Sequence, residues 1–316
     1  MAESSNVRVA SPSEIRQNPE NPRLVFHEKE LIELQDSIAA NGILVPLTVF
    51  SSREGGYVLL DGERRWRSAR KLGLHRVPII VQPEPTLIQN IMMMFAIHNA
   101  RSDWDPLPTA MKLQKLEHLY AETEGQPPTE SQLAQLASLS RGEVRRLKNI
   151  LKLPPQHLAL VESEQDRPRS EQTLTVDHLL EVTRGAAALE KQDVIASGER
   201  IRLETVLIDK FRSKTLTSTV EPRLLARMAR AVERHDVSRA AVRASITELV
   251  DNPNTTVRDA FATSVERVDR EHTVEMSVQR LEASVSELSM SGQVSATLRE
   301  ALESLQGTIA RILGQS

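Results

Sequence analysis

The chain has 316 residues and a formal net charge of −3, with 40% hydrophobic and 3% aromatic residues. This length predicts two or three domains, and the weak net charge means that any binding of nucleic acid depends on local basic patches. The absence of cysteine excludes disulfides, thiolate metal sites and thiol catalysis. Since the start lacks a signal-peptide layout and no apolar run approaches the ~20 residues of a membrane span, we expect a cytoplasmic protein without membrane partners.

The first hundred residues alternate between helical and strand patterns. Residues 11–23 are rich in Pro, Asn and Ser and predict irregular chain. Over residues 28–40, apolar side chains recur every three or four positions in a helix that Gly42 would end. Short apolar runs then predict strands, at residues 43–50, 57–60 and 77–81. This alternation predicts a small mixed α/β domain.

A basic turn follows the second of these strands. Residues 61–67 read Asp-Gly-Glu-Arg-Arg-Trp-Arg, so a glycine separates the strand from the start of a helix. The N–H groups and the positive dipole end of a helix N-terminus favour phosphate. Glu63 would either hold an arginine or help to position a metal ion near a polyphosphate. Charge and bidentate donors come from Arg64, Arg65 and Arg67. The alternative is a solvated basic helix start with salt bridges.

The middle of the chain has the pattern of a helix-turn-helix. After an amphipathic helix over residues 110–120, a short helix capped by Thr129 is followed by a tight turn and a second helix over residues 141–151. Residues 129–153 contain five basic and two acidic residues, and this excess of positive charge favours DNA binding over a purely structural hairpin. Whether the arginines contact bases or phosphates stays open. The candidate DNA contacts are Thr129, Ser140, Arg141, Arg145, Arg146 and Lys148.

The last part of the chain is predicted to be all helical. A polar segment over residues 162–172 indicates a linker, and further helical patterns cover residues 175–191, 199–212, 223–234 and 238–250. From Val274 the apolar residues follow a heptad spacing for about two heptads, and a last helix carries one apolar side. Such narrow seams seldom bury enough surface alone, so we expect self-association. A monomeric all-α domain is the alternative.

The order of these pieces resembles the N-terminal domain of the ParB family, whose members are DNA-partition proteins and CTP-dependent clamps. The resemblance covers roughly residues 7–155. It implies a ParB/sulfiredoxin-like α+β domain, then an all-α helix-turn-helix domain and an all-α C-terminal region. The residues that carry it are Asn18, Pro19, Pro22, Arg23, Ser37, Ile38, Gly42, Ile43, Pro46 and residues 62–67. Ser138 departs from the family, which usually has glycine in the helix-turn-helix turn.

The resemblance implies a site for a cytidine nucleotide with magnesium. Asn99 would help to hold the metal ion, which prefers oxygen ligands. His98 stands where the family has an acidic residue, and the segment after it is shorter, so CTP hydrolysis stays open. Asp103 and Asp105 are the candidates to replace the missing carboxylate. The implied nucleotide-binding residues are Arg23, Gly62, Glu63, Arg64, Arg65, Asn99 and Arg101.

These patterns together predict a nucleotide-binding domain over residues 1–105, a DNA reader over 106–155, a linker over 156–173, a helical region over 174–255 and a dimerising helical hairpin over 256–316. The resemblance implies nucleoid association in plasmid or chromosome partition, with double-stranded DNA, a second copy and a partition ATPase as candidate partners. One alternative is a helix-turn-helix regulator that does not bind nucleotide. Another is a ParB-like nuclease that uses Asp61, Glu63, Asp103 and Asp105. Sulfiredoxin chemistry is excluded, since it uses a cysteine.

Overall fold

The structure, a computed structural model, describes residues 7–22, 28–99, 105–165, 167, 171–289 and 295–314. Within the described helices, nothing is assigned to the side chains of residues 28–30, 98, 99, 165 and 289. The chain divides into two units, one of residues 1–183 and 207–219 and the other of residues 184–206 and 220–316. The predicted domain boundaries do not coincide with this division, and they stay a prediction.

Five strands form one mixed sheet in the first unit. Strand β3 is central because it pairs antiparallel with β4 and parallel with β5. Its Leu47 and Val49 are fully buried, as expected for a strand covered on both faces. The strands are β1 (Val7–Ala10), β2 (Ile15–Arg16), β3 (Leu47–Ser51), β4 (Tyr57–Asp61) and β5 (Val77–Gln82), in the order β1-β5-β3-β4-β2.

Two helices, one on each face, cover this sheet. The first three helices of the chain are α1 (Glu28–Asn41), α2 (Glu63–Lys71) and α3 (Leu87–Asn99), and α2 and α3 are the two that cover the sheet. Helix α2 packs on one face through Trp66 and Ala69. Helix α3 packs on the other face, where Met94 joins Phe50 and Leu60 in the core. The predicted α+β fold of the N-terminal domain is confirmed.

The strand predicted over residues 43–50 was wrong in its first four residues. Strand β3 begins only at Leu47, and the side chains of Leu44 and Val45 are 79% and 62% exposed. The carbonyl oxygens of Val45 and Pro46 accept hydrogen bonds from Arg65 instead of from a neighbouring strand. Pro46 also has no N–H for a strand ladder.

The N-terminal segment is more ordered than its composition indicates. Residues 12–14 form one turn of 3-10 helix that Ser11 caps, and the two-residue strand β2 follows it. Strand β1 lies at one edge of the sheet and β2 at the other. Neither strand was expected from the sequence, because each is too short to show an alternating pattern.

The middle helices follow the sequence closely. They are α4 (Pro106–Glu124), α5 (Glu130–Leu136) and α6 (Arg141–Ile150). Thr129 and Ser140 are the N-caps of α5 and α6, and each closes a capping box with the third residue of its helix. The buried side of α6 consists of Val144, Leu147 and Ile150.

The turn between α5 and α6 places Ser138 in the left-handed conformation, with a φ of 53°. The Leu139 N–H donates to the Ala134 carbonyl at 2.9 Å and closes the turn. Glycine adopts this conformation without a steric penalty, whereas a residue with a Cβ pays up to ~1 kcal/mol. The departure from the family's glycine therefore falls at a position where glycine has a physical advantage.

A helix occupies much of the segment expected to be a linker. Helix α7 (Pro155–Gln165) runs into residues 156–173, and the buried carboxylate of Glu164 near its end binds the chain that follows. One Glu164 oxygen accepts hydrogen bonds from the N–H groups of Thr173 (2.9 Å) and Leu174 (3.3 Å). The polar composition of this segment indicated a linker, but one of its polar residues, Glu164, has a structural role.

The rest of the described chain is helical. Residues 257–264 form a separate helix that the apolar pattern did not indicate, and α13 begins at Glu266, ahead of the heptad pattern predicted from Val274. The helices predicted between residues 175 and 250 are confirmed within about two residues. The helices are α8 (Val176–Lys191), α9 (Ser197–Arg212), α10 (Arg223–Glu233), α11 (Arg239–Asp251), α12 (Val257–Ser264), α13 (Glu266–Ser289) and α14 (Ala296–Leu313). Of all helices that the structure describes, none is both long enough and apolar enough to cross a membrane.

Candidate functional site

Gly62 connects β4 to α2 and has a φ of 97°. A Cβ at this position would lie 2.7 Å from Leu47 Cδ2 and 3.1 Å from a terminal guanidinium nitrogen of Arg65. Both the conformation and the space therefore require glycine. The first intrahelical hydrogen bond of α2 runs from the Trp66 N–H to the Gly62 carbonyl, at 2.9 Å. The N–H groups of the first turn point out of the helix end, where a phosphate would bind.

Arg65 fixes this turn to the chain that leads into β3. Its guanidinium donates to the carbonyl oxygens of Val45 and Pro46, at 3.0 Å for the latter, and to the Asp61 carboxylate at 3.0 Å. The Arg65 and Asp61 side chains are both largely buried. Arg65 is therefore a structural part of the turn in addition to being a candidate phosphate contact.

Glu63, the first residue of α2, is buried and holds an arginine. One of its carboxylate oxygens accepts from the guanidinium of Arg67, at 2.7 and 2.9 Å. The other accepts from the side-chain amide of Asn21 at 2.5 Å. The first of the two roles that the sequence allowed for Glu63 is thus present, and its carboxylate is bound on both oxygens.

The segment around Asn18 connects this turn to α3. The side-chain amides of Asn18 and Asn90 donate to each other's oxygens, at 2.8 and 3.1 Å. The Asn18 oxygen also accepts from the Glu20 N–H at 3.0 Å. These buried polar groups satisfy one another, as a polar group removed from water must be satisfied. The sequence showed only a run of Asn and Pro here, and it did not indicate these contacts.

Glu20 connects the same segment to α4. Its buried carboxylate accepts from Lys115 at 2.7 Å and from Lys112 at 2.9 Å, and Lys112 also donates to the Pro19 carbonyl at 2.7 Å. Burial alone would raise the pKa of Glu20, but the two ammonium groups outweigh it and hold that pKa below its ordinary value. Sequence reasoning missed this ion pair because about ninety residues separate its partners.

The structure does not describe the side chains of three predicted nucleotide-binding residues. Arg23 and Arg101 lie outside the described residues. Asn99 is the last residue of α3, and its side chain, like that of His98, is also outside. The structure thus brings together Gly62, Glu63, Arg64 and Arg65 at the turn and leaves the second half of the predicted site as a prediction.

The carboxylates considered for a nuclease do not form a metal site in the described residues. Asp61 is bound to Arg65 and Glu63 to Arg67. Asp103 lies outside the described residues. Across the residues that the structure does describe, no cluster of three or more His, Cys, Asp or Glu side chains is arranged to hold a metal ion.

Three of the basic side chains of α6, the candidate DNA-binding helix, form ion pairs. Arg145, Arg146 and Lys148 lie on its outer side, as expected, but each is bound to a carboxylate on another helix. Arg141, the first residue of α6, is exposed. The sequence did not indicate this pairing, because the three carboxylates are 15 to 31 residues away.

Comparison with known proteins identifies the first part of the chain. Residues 1–97 match the family model of the ParB N-terminal domain. These residues are a ParB N-terminal domain. The match contains the sheet, the Gly62 turn and the segment around Asn18, so the contacts of Glu63, Arg65 and Asn18 lie within the ParB domain, whereas those of Glu20 reach α4 beyond it.

The relatives of the chain include a chromosome-partitioning protein and a sporulation protein. The chromosome-partitioning protein ParB of Caulobacter vibrioides is 32% identical over 206 residues, which cover 63% of this chain and 62% of that protein. Stage 0 sporulation protein J of Bacillus subtilis is 35% identical over 144 residues, or 45% of this chain and 48% of that protein. The chain therefore spans about half to three fifths of the length of these curated relatives.

A solved structure with a similar chain is the C-terminally truncated ParB of Caulobacter crescentus complexed to the centromeric parS site. It is 25% identical to this chain, covers 70% of this chain and 98% of its own, and gives a TM-score of 0.44.

Replacing Glu20 by Gln in the ParB domain should lower the free energy of unfolding at neutral pH by about 1–3 kcal/mol, because both lysines lose a buried, charged acceptor. Since the folded pKa of Glu20 lies below the unfolded one, this stabilisation is complete above the unfolded pKa and is lost as the pH falls through the folded pKa. The difference between wild type and Glu20→Gln in urea unfolding, followed by tryptophan fluorescence, should therefore close on acidification.

The matched control is Glu54→Gln, which removes an exposed carboxylate paired with Arg16 at 2.6 Å. Exposed ion pairs contribute little, so this variant should unfold almost like wild type. A Glu20→Gln deficit that stayed constant down to strongly acidic pH would contradict the assignment of the ion pair.

Proposed function

We propose that this chain is a partition-type DNA-binding protein of the cytoplasm, gated by CTP bound at the Gly62 turn with magnesium. The observation that carries the proposal is this turn: a left-handed glycine at the start of an arginine-bearing helix, inside a ParB N-terminal domain. The naming of the Caulobacter vibrioides relative as a chromosome-partitioning protein supports the role in DNA partition.

The residues at the turn suit a triphosphate. The backbone N–H groups at the start of α2 would bind phosphate oxygens, and the half-buried Arg64 would supply charge-assisted donors. Magnesium would neutralise part of the phosphate charge, and Asn99, at the end of α3, is the candidate oxygen ligand. Glu63 is not a ligand in this arrangement, because Asn21 and Arg67 occupy its carboxylate.

A path of direct contacts runs from this turn towards the DNA helix. Asn21 binds Glu63 at the turn, and its neighbour Glu20 binds Lys112 and Lys115 on α4. Helix α4 in turn packs against α6. A nucleotide that changed the hydrogen bonding of Glu63 would thereby bias the position of α4, to the extent that it binds the two arrangements with different affinity.

A DNA-binding regulator that does not use nucleotide is the second candidate. It is favoured because the side chains of the turn are hydrogen-bonded to other groups of the protein. Arg65 is held by two carbonyl groups and Asp61, and Glu63 is held by Asn21 and Arg67. Such a turn would be stable on its own as a structural feature.

Substitution of Arg64 by Ala should weaken CTP binding by about tenfold or more, because a phosphate loses charge-assisted hydrogen bonds worth roughly 1.5–3 kcal/mol. The measurement is a fluorescence titration with CTP, ATP, GTP and UTP, with magnesium and with EDTA. We choose Arg64 because removal of Arg65 would also disturb the loop before β3.

Arg70→Ala is the matched control, since Arg70 lies on the same helix with its guanidinium 5.0 Å from the centre of the Trp66 ring. It should bind CTP like wild type. A wild-type protein that bound none of the four nucleotides would overturn the CTP proposal and leave the regulator.

DNA binding by α6 predicts that Arg141→Ala weakens association with every duplex sequence. If Arg141 contacts a phosphate, the slope of log K against log salt concentration should become shallower by about 0.9. Fluorescence anisotropy across a salt series measures both effects. Arg53→Ala, which removes an arginine that is 91% exposed on the ParB domain, is the control and should leave both unchanged. Equal losses in the two variants would show a general charge effect and contradict a contact by α6.

We further propose that helix α13 joins two copies of the chain. Of its heptad residues, Val274, Val278, Leu281 and Leu288 are exposed, with Val274 at 58%, and Val285 is half-buried. No residue of α14 is buried among the described residues. A row of exposed apolar side chains at heptad spacing is typical of a coiled-coil seam, where a second helix covers it.

Replacing Leu281 by Asp should shift the chain from dimer towards monomer in sedimentation equilibrium, because a charge in the seam would have to be desolvated. Ala283→Asp, on an exposed position outside the heptad series, is the control and should leave the dimer intact. A monomeric wild type at micromolar concentration, or a Leu281→Asp protein as dimeric as wild type, would rule out this seam.

A further inference from the structure

Three carboxylates on three neighbouring helices bind the cations of α6. Glu117 lies on α4, Glu130 on α5 and Asp177 on α8. We propose that these carboxylates act as internal counter-ions that restrain sequence-independent DNA binding by α6. This inference rests on the proposed DNA-binding function and concerns the balance between specific and non-specific binding.

The geometry of each pair is that of a charge-assisted hydrogen bond. Lys148 donates to Glu117 at 2.7 Å, and Arg145 donates to Glu130 at 2.8 Å. The Arg146–Asp177 pair is bidentate: Nε and one terminal nitrogen of Arg146 donate to the two Asp177 oxygens, at 2.8 and 3.1 Å. These distances lie in the range expected for an ammonium or guanidinium bound to a carboxylate.

All six side chains remain partly exposed, the cations at 31–57%. A phosphate can therefore reach each cation, but it has to displace a carboxylate or approach while that carboxylate stays close. Exposed ion pairs are weak, so DNA that offers enough additional contacts can exchange them. The pairs thus reduce the gain from each phosphate contact without blocking the contact.

The reduction matters most for non-specific DNA. Sequence-independent binding derives essentially all of its affinity from phosphate contacts, whereas a specific site adds hydrogen bonds to bases. A loss per phosphate therefore weakens a non-specific complex that has no other source of affinity, whereas a specific complex keeps its base contacts. Glu143, although it lies on α6 itself, does not act in this way, because its carboxylate closes the capping box with Ser140.

The variants Glu117→Gln, Glu130→Gln and Asp177→Asn remove each negative charge while nearly preserving side-chain shape. The probe is a fluorescent duplex of random sequence, titrated across a salt series with the full-length protein. Each variant should bind up to about fivefold more tightly at moderate salt. For each cation that becomes available to phosphate, the slope of log K against log salt concentration should steepen by about 0.9.

Glu162→Gln is the matched control for net charge. Glu162 is an exposed residue of α7 in the same unit, and it makes none of the three ion pairs with α6. This variant changes the total charge by the same amount, so it should leave affinity and slope close to wild type. Thermal unfolding of every variant checks that the fold is kept.

A second comparison assigns the effect to one pair. In an Arg146→Ala background, Asp177→Asn should no longer increase affinity, because the cation that it would release is absent. An increase that persisted in this background, or one that Glu162→Gln reproduced, would overturn the counter-ion role. So would a wild type that binds duplex DNA with an affinity and slope that none of the three substitutions alters. Failure of wild type and all variants to bind any duplex at low salt would instead reject the DNA-binding function.

Discussion

Buried carboxylates constrain the arrangement of the ParB domain in this chain. A charge removed from water has to be paired and hydrogen-bonded, and Glu20 and Glu63 meet this requirement with partners from different elements. Glu63 brings together α2 and the segment at Asn21, and Glu20 brings that segment to α4. The candidate nucleotide turn therefore lies in a polar network that also includes α4, the first helix of the candidate DNA-binding part.

The same principle operates with a different outcome on α6. There the ionic groups are partly exposed, so their pairing is weak and can be exchanged with another anion. The buried pairs of the ParB domain define positions, whereas the exposed pairs of α6, in the proposed counter-ion role, would modulate the affinity for DNA. A protein that searches a long polyanion for a few sites benefits from both properties, since non-specific phosphate binding competes with the specific site.

The features that could be predicted from the sequence depend on neighbouring residues. The helices follow from apolar periodicity, and the requirement for glycine at Gly62 follows from a strand running directly into a helix. The interhelical turn at Ser138 follows from a short helix capped by Thr129 and a second helix that begins at Arg141. The unpredicted features depend on distant partners: β1 exists because Val7 to Ala10 pair with β5, and β2 because Ile15 pairs beside Tyr57. No periodic pattern indicates that Asp177 binds Arg146.

Helix α13 has 24 residues, and at a rise of 1.5 Å per residue it is about 36 Å long. Its polar residues are arranged so that several ion pairs one turn apart, such as Arg267 with Glu271 and Arg270 with Glu266, support it from its own surface. A helix of this length serves as a stiff spacer. Whatever binds at its far end is kept at a set distance from its beginning, so deleting one heptad would shorten that spacing by about 10 Å while preserving the apolar register.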